Sequence, residues 1–455
     1  MQRLALFHAV LAAGLLAGGI AGGASADEAT WKAGAARVKI TPESSIWMAG
    51  YAARTKPSEG VAQDLFAKAL AIEDRQGTRL VILTMDLISI PREIRKWMER
   101  EVEQKHGLAP ESLLINVSHT HCGPEVRAGR AAEWDLPAEQ GARIQAYSDG
   151  LRLKLLAAVG EALGKLAPAK LDYLHARCGL AMNRRRPTQR GFMNAPYSDG
   201  PVDHDVPVLR VTDPQSKQVL ALAFGYACHN TTLGYYQFCG DYAGYAQQYL
   251  EEAHPETIAL FVQGCGGDQN PYPRRTEELA QYHGRSLAVA VEAALETIPR
   301  TLSGPLALAF DEVPLDFAPP PAREELEKTA AAGKQPAARH ARRLLDELAK
   351  NGKIRESYPC PVQVVRFGGD LTLVAIGGEV VVDYSLRLKR ELAGPAVWVA
   401  GYSNDVFTYV PSLRVLKEGG YEGGQATVWG SLPGPFAESI EERIVGKVLE
   451  LAGRK

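Results

Sequence analysis

The 455-residue chain is 46% hydrophobic and 23% charged, with a formal net charge of −2. Balanced, dispersed charge argues against a nucleic-acid binder, which gathers its basic residues into a stripe. Beyond the first residues no run approaches the ~18 uninterrupted apolar residues of a membrane span, and the length suits one large domain or two ordinary ones.

Residues 1–26 read as a secretion signal: Arg3, a mostly apolar run from Leu4 to Ile20, then Ala24-Ser25-Ala26 before a cut near Ala26. An uncleaved anchor is the competing reading. The expected product is secreted or periplasmic, with residues 27–455 forming one domain. Cys122, Cys178, Cys228, Cys239, Cys265 and Cys360 permit disulfides or buried thiols, and the lack of a CxxC pair argues against a zinc ribbon.

Strand and helix signals then alternate. "LVILTMDL" (80–87) predicts a buried strand, and 91–107 an amphipathic helix opened by Pro91 and stopped by Gly107. "LLINVSH" (113–119) is the next strand. "VLALAFGYACH" (219–229), a helix near 243–253, "IALFVQGCGG" (258–267) and a helix from about 277 to 297 continue the rhythm. The charged stretch 322–350 predicts a helical pair without a site signal, 362–379 a hairpin across Gly368-Gly369-Asp370, and the C-terminus a closing helix. Together they predict an α/β fold with a mixed, partly parallel sheet and flanking helices.

Polar clusters fall where apolar runs end, which is where open α/β sheets collect their sites. They are His119 and His121, His229, Gly266-Gly267-Asp268, and Glu379. An extended His-x-His points both rings to one side, which suits two metal ligands or one ligand plus an acid/base group; a hydrogen-bonded pair capping a turn is the plainer alternative. His229 alone is as readily structural, and Glu379 could equally be the N-terminal charge of a helix over 380–391. "GCGGDQNP" lacks the spacing and lysine of a phosphate loop. Asp268 is a candidate to orient a ligand histidine, and Asp86 is a similar strand-end carboxylate.

The motifs "AGAARVKITP", "SHTHCGP", "MNRRRP", "ACHNTT", "GCGGDQNP", "IGGE" and "SNDVFTYVPSLRVLKEGGYEG", in this order, resemble the neutral/alkaline ceramidase family of zinc amidases. The resemblance runs from about Trp31 to Tyr421. It implies Zn2+ held by His119, His229, Glu379 and Tyr409, with His121, Arg184 and Tyr421 acting on the substrate amide. It further implies an N-acyl sphingoid lipid as substrate, cleaved by water that the metal activates.

Two departures qualify that inheritance. Asn270 stands where the family usually has a serine assigned to catalysis; an amide is no nucleophile but can donate to an oxyanion. The family's C-terminal β-sandwich module is also expected to be absent. The arginines Arg184-Arg185-Arg186, Arg190, Arg274 and Arg275 favour an anionic ligand over ceramide, so a different N-acyl, ester or sugar-derived substrate is the alternative. A binding protein without activity is a further reading. The implied partners are a small-molecule or lipid amide and a peripheral membrane surface, with no obligate protein partner.

Overall fold

The computed structural model describes residues 31–392, 394–429 and 432–453, so the signal expected over 1–26 lies outside the described residues. The continuous apolar strands of the sequence are buried on both faces, which explains why they do not alternate. In Arg79–Met85, Val81 and Leu83 face helices Arg92–His106 and Ala138–Gly164, while Leu80 and Ile82 face a second sheet. Layers of helix, sheet, sheet and helix result. Trp31, Phe367 and Trp398 fill the seam between the sheets, and helices Val382–Glu391 and Ile440–Leu451 cover the far face.

The main sheet runs in the order Ile258–Gln263, Val219–Tyr226, Asp205–Thr212, Ala167–Arg177, Trp31–Lys39, Phe66–Asp74, Arg79–Met85, Leu113–Val117. It is mixed: the parallel pairings, Val219–Tyr226 with Ile258–Gln263 and Arg79–Met85 with Leu113–Val117, occupy its two ends. The sheet curls until those ends meet. Fully buried Asn116 joins them, accepting the Gln263 N–H at 2.8 Å and donating to the carbonyls of Gln263 at 3.3 Å and Gly401 at 2.9 Å. The smaller sheet contains the expected hairpin, Ser357–Phe367 with Leu371–Ile376, and a parallel strand Val397–Ala400. Curling thus brings together the carboxyl ends of the strands ending at Val117, Tyr226 and Gln263, and bridges from Asn116 to Ser403 and from Gly264 to Ala400 set the end of the smaller sheet beside them.

The 322–350 stretch forms helices Arg323–Ala330 and Pro336–Asn351. All six cysteines are buried free thiols, so disulfides play no part in holding this fold. Among the described residues no helix is long and apolar enough to cross a membrane.

Candidate active site

The histidine pair does not converge as an extended strand would have it. The strand stops at Val117, and His119 adopts left-handed backbone at φ 61°, a conformation strained for a side chain of this kind. That turn, rather than the pleat, brings the rings of His119 and His121 to 4.9 Å between centroids, nearly edge-on at 79°. His229, beyond the end of Val219–Tyr226, joins them with its ring 4.8 Å from that of His119. Gly50, at φ +98°, makes room: a Cβ there would stand 2.7 Å from the His121 ring.

Hydrogen bonds decide which ring nitrogens face inward. Nδ1 of His119 donates to the Ile88 carbonyl at 2.7 Å, and Nδ1 of His229 to the Gly266 carbonyl at 2.6 Å. Each Nε2 therefore presents its lone pair to the cleft. Burial, then the charge of Arg184, lowers the His229 pKa to about 4, so this imidazole is neutral near pH 7. Oε2 of Glu379 lies 3.2 Å from both Nε2 atoms.

Lone pairs facing a carboxylate oxygen at this separation repel one another unless a cation lies between them. Nε2 of His119 and Oε2 of Glu379 are, moreover, buried without a hydrogen-bond partner. The donor set, two imidazoles and a carboxylate, is the one catalytic zinc sites use, so these residues fit the metal. Potential ligand atoms of His119, His121 and His229 all fall within 4.8 Å of one another.

Glu379 is not a helix N-terminal charge. It lies on the short strand Glu379–Val380, in parallel register with Tyr409, and the following helix begins at Val382. Gly267 permits this close approach, since a Cβ there would meet the Glu379 carbonyl at 2.7 Å. The Tyr409 hydroxyl reaches to 3.3 Å of His229 Nε2 and accepts from Arg184 Nη2 at 2.9 Å. The remaining nitrogens of Arg184 are also engaged: Nε donates to Glu422 at 2.8 Å and Nη1 to the Asn270 side-chain oxygen at 3.2 Å.

Asn270 is fully buried, its oxygen also accepting from Thr231 at 3.1 Å. It thus lies behind the cleft, bracing Arg184. His121 and Tyr421 line the cleft of about 310 Å³ together with His119, Glu379 and Tyr409. Both ring nitrogens of His121 are buried there without a partner. Burial, then the Glu379 charge, pushes the Tyr421 phenol up to about 12.

Several expectations need correcting. Asp268 orients no ligand histidine; it accepts from Asn183 at 3.0 Å and from the Val382 N–H at 2.9 Å, capping the helix that follows Glu379. Main-chain carbonyls orient the histidines instead, and no residue-type pattern announces them. Asp86 is a buttress, accepting from Phe66 N–H and Gln247. The basic run, read as favouring an anionic ligand, turns inward instead: Arg184 and Arg185 lie on strand Ala181–Thr188 and share buried Glu422, which receives Arg185 at 2.7 Å. Glu422, which directly follows Tyr421, carries no signal of this role in the sequence. The helical pair is not remote from the site either, since His340 donates to the Leu432 carbonyl at 2.6 Å and Arg339 lines a groove that shares Trp134 and Trp429 with the cleft.

Residues 31–275 match the N-terminal family of neutral/alkaline non-lysosomal ceramidases. The chain belongs to this family. It is 25% identical over 270 residues to neutral ceramidase A of Dictyostelium discoideum, a match spanning 54% of this chain and 37% of that relative. The ceramidase fold extends further than this sequence match. The crystal structure of neutral ceramidase from Pseudomonas aeruginosa superposes with a TM-score of 0.73 at 19% identity, covering 94% of this chain and 74% of that one. A ceramidase complexed with C2 gives 0.71 at 18%, covering 93% and 75%.

Proposed function

We propose that this chain is a zinc-dependent amide hydrolase of the ceramidase type, with residues 27–455 as its catalytic unit. The observation that carries the proposal is the meeting of His119 Nε2, His229 Nε2 and Glu379 Oε2 at 3.2 Å, with lone pairs turned inward. These residues and Tyr409 would hold the metal. Zinc bound there supplies a Lewis acid that polarises a carbonyl and lowers the pKa of water to ~7.

The chain's own groups perform the rest. Carbonyls of Ile88 and Gly266 keep both ligand imidazoles in the tautomer that presents Nε2. Arg184, clamped by Glu422 and Asn270, steadies the Tyr409 oxygen. His121 and Tyr421 stand on the cleft wall, where each can donate to the amide oxygen as charge develops on it. With its pKa near 12, Tyr421 keeps its proton through neutral pH and can pass it to the departing amine nitrogen. Asn270 has no part as a nucleophile, which leaves attack by water rather than a serine ester.

An N-acyl lipid such as a ceramide is the first substrate to test. A secreted or periplasmic location and peripheral contact with a lipid surface belong to the same reading. The test is zinc content together with hydrolysis of a ceramide, for wild type and His119→Ala. One zinc per chain with amide cleavage, both lost in the variant, is the expected result. A protein that neither holds zinc nor cleaves any N-acyl amide would overturn the proposal.

A further inference from the structure

Among the described residues, Glu379, Arg127 and Arg130 are the charged side chains of the cleft wall. Glu379 is turned toward His119 and His229, so the charge left for a ligand is cationic. Both arginines belong to the segment that follows the histidine turn, which ties their position to that of His121.

Arg127 is locked in place. Glu125 beneath it accepts from its Nε and Nη2, each at 2.7 Å, and from the N–H groups of Val126 at 3.0 Å and Arg127 at 2.9 Å. Arg130 is held differently. Among the described residues its hydrogen bonds leave from Nη1, to Glu133 at 3.1 Å and to the Trp429 carbonyl. Its guanidinium lies 5.3 Å from the Trp134 ring centroid, which fixes its plane. Burial, then the like charge of Arg127, pulls its pKa down to about 10, which still leaves Arg130 charged near pH 7.

None of the arginines that suggested an anion from sequence lines the cleft. Arg184 and Arg185 are committed to Glu422, and Arg274 and Arg275 lie against Tyr272 and Tyr51. Arg127 is paired with Glu125 and Arg130 with Glu133, but among the described residues Nε and Nη2 of Arg130 carry no hydrogen bond. A guanidinium with an uncommitted edge beside an aromatic ring is suited to a carboxylate.

We propose that Arg130, backed by Arg127, determines specificity by binding an anionic group of the substrate, so that the amide cleaved belongs to an N-acyl compound bearing a carboxylate near the scissile bond. This rests on the amide-hydrolase reading of the same site. Arg127 and Arg130 line the same cleft as His119 and His121, so the acid and the amide belong to one ligand, as in an N-acyl amino acid.

The experiment compares N-lauroylglycine with its neutral isostere N-lauroylglycinamide, using zinc-loaded wild type, Arg130→Lys and Arg130→Gln. Binding and hydrolysis are measured separately. Wild type should bind the carboxylate about tenfold more tightly, with Lys keeping only part of that ratio and Gln bringing it near one. Equal binding by wild type, or an unchanged ratio in Arg130→Gln, overturns the inference. Should Arg130→Gln not fold, the Lys variant and a wild-type preference that falls with rising ionic strength carry the same test.

Hydrolysis distinguishes this inference from the reading beneath it. Ceramide turnover without a carboxylate preference in binding overturns the Arg130 site alone. A binding preference with no cleavage of either compound or of ceramide supports the Arg130 site and overturns the hydrolase.

Discussion

At the residue scale, the site depends on where single atoms point. His119 and His229 are ligand candidates because carbonyl oxygens occupy their Nδ1 protons, and His121 differs because neither of its ring nitrogens is engaged. What holds His121 over the cleft is space, supplied by Gly50 at φ +98°. Gly50→Ala adds backbone strain and places a methyl 2.7 Å from that ring. Zinc content should survive, while kcat/KM falls by about tenfold or more because a donor is displaced from its position against the developing oxyanion. Metal analysis alongside steady-state kinetics checks this, and a variant with unchanged kinetics would remove His121 from the chemistry.

Between elements, the site rests on pairings far apart in the chain. Strand Ala181–Thr188 contributes Arg184 and Arg185, and the segment after helix Leu413–Glu418 contributes Glu422, which pairs with them at 2.8 and 2.7 Å, while Glu418 adds a second partner to Arg185 at 3.1 Å. Glu422→Gln leaves two buried guanidiniums facing an uncharged amide, one of whose atoms is itself a donor. The expected cost is about 3 kcal/mol of stability. A weaker hold on zinc should accompany it, because Arg184 no longer steadies Tyr409. Glu422→Asp, which restores the charge, should recover much of the zinc affinity. Denaturant unfolding and competition with a chelator measure the two effects independently. Equal zinc affinity in Gln and wild type would show that Glu422 serves folding alone.

For the whole molecule, the closing of the main sheet on itself is what makes a site at all. Asn116 sits at that closure with hydrogen bonds to Gln263, Gly401 and Ser403. Asn116→Ala leaves several buried backbone groups unpaired at once, for which about 3 kcal/mol or more is expected. Since the strands that lead to His119 and to Gly266 meet there, zinc affinity should fall in the same variant. Loss of stability with zinc affinity intact would mean that the strand ends keep their relation without this bridge.

Much of this architecture was legible in the chain. Apolar runs bounded by Gly and Pro marked the strands and helices, and each polar cluster at a run's end proved to lie at the convergence of strand ends. What could not be read was which of those residues face one another. The left-handed turn at His119 and the use of Ile88 and Gly266 carbonyls are backbone properties, set by packing rather than by residue type. Arg184 and Asp268 make contacts that the sequence does not show, because their partners, Glu422 and Val382, lie 238 and 114 residues away. Arg127 and Arg130 gave no signal, since a short loop rich in charge looks like any solvated surface. By itself the sequence determined the elements and the inventory of donors, because hydrophobic period and side-chain chemistry are local. Only the tertiary structure decided which lone pairs converge and which cations keep an open edge, because those depend on contacts across hundreds of residues.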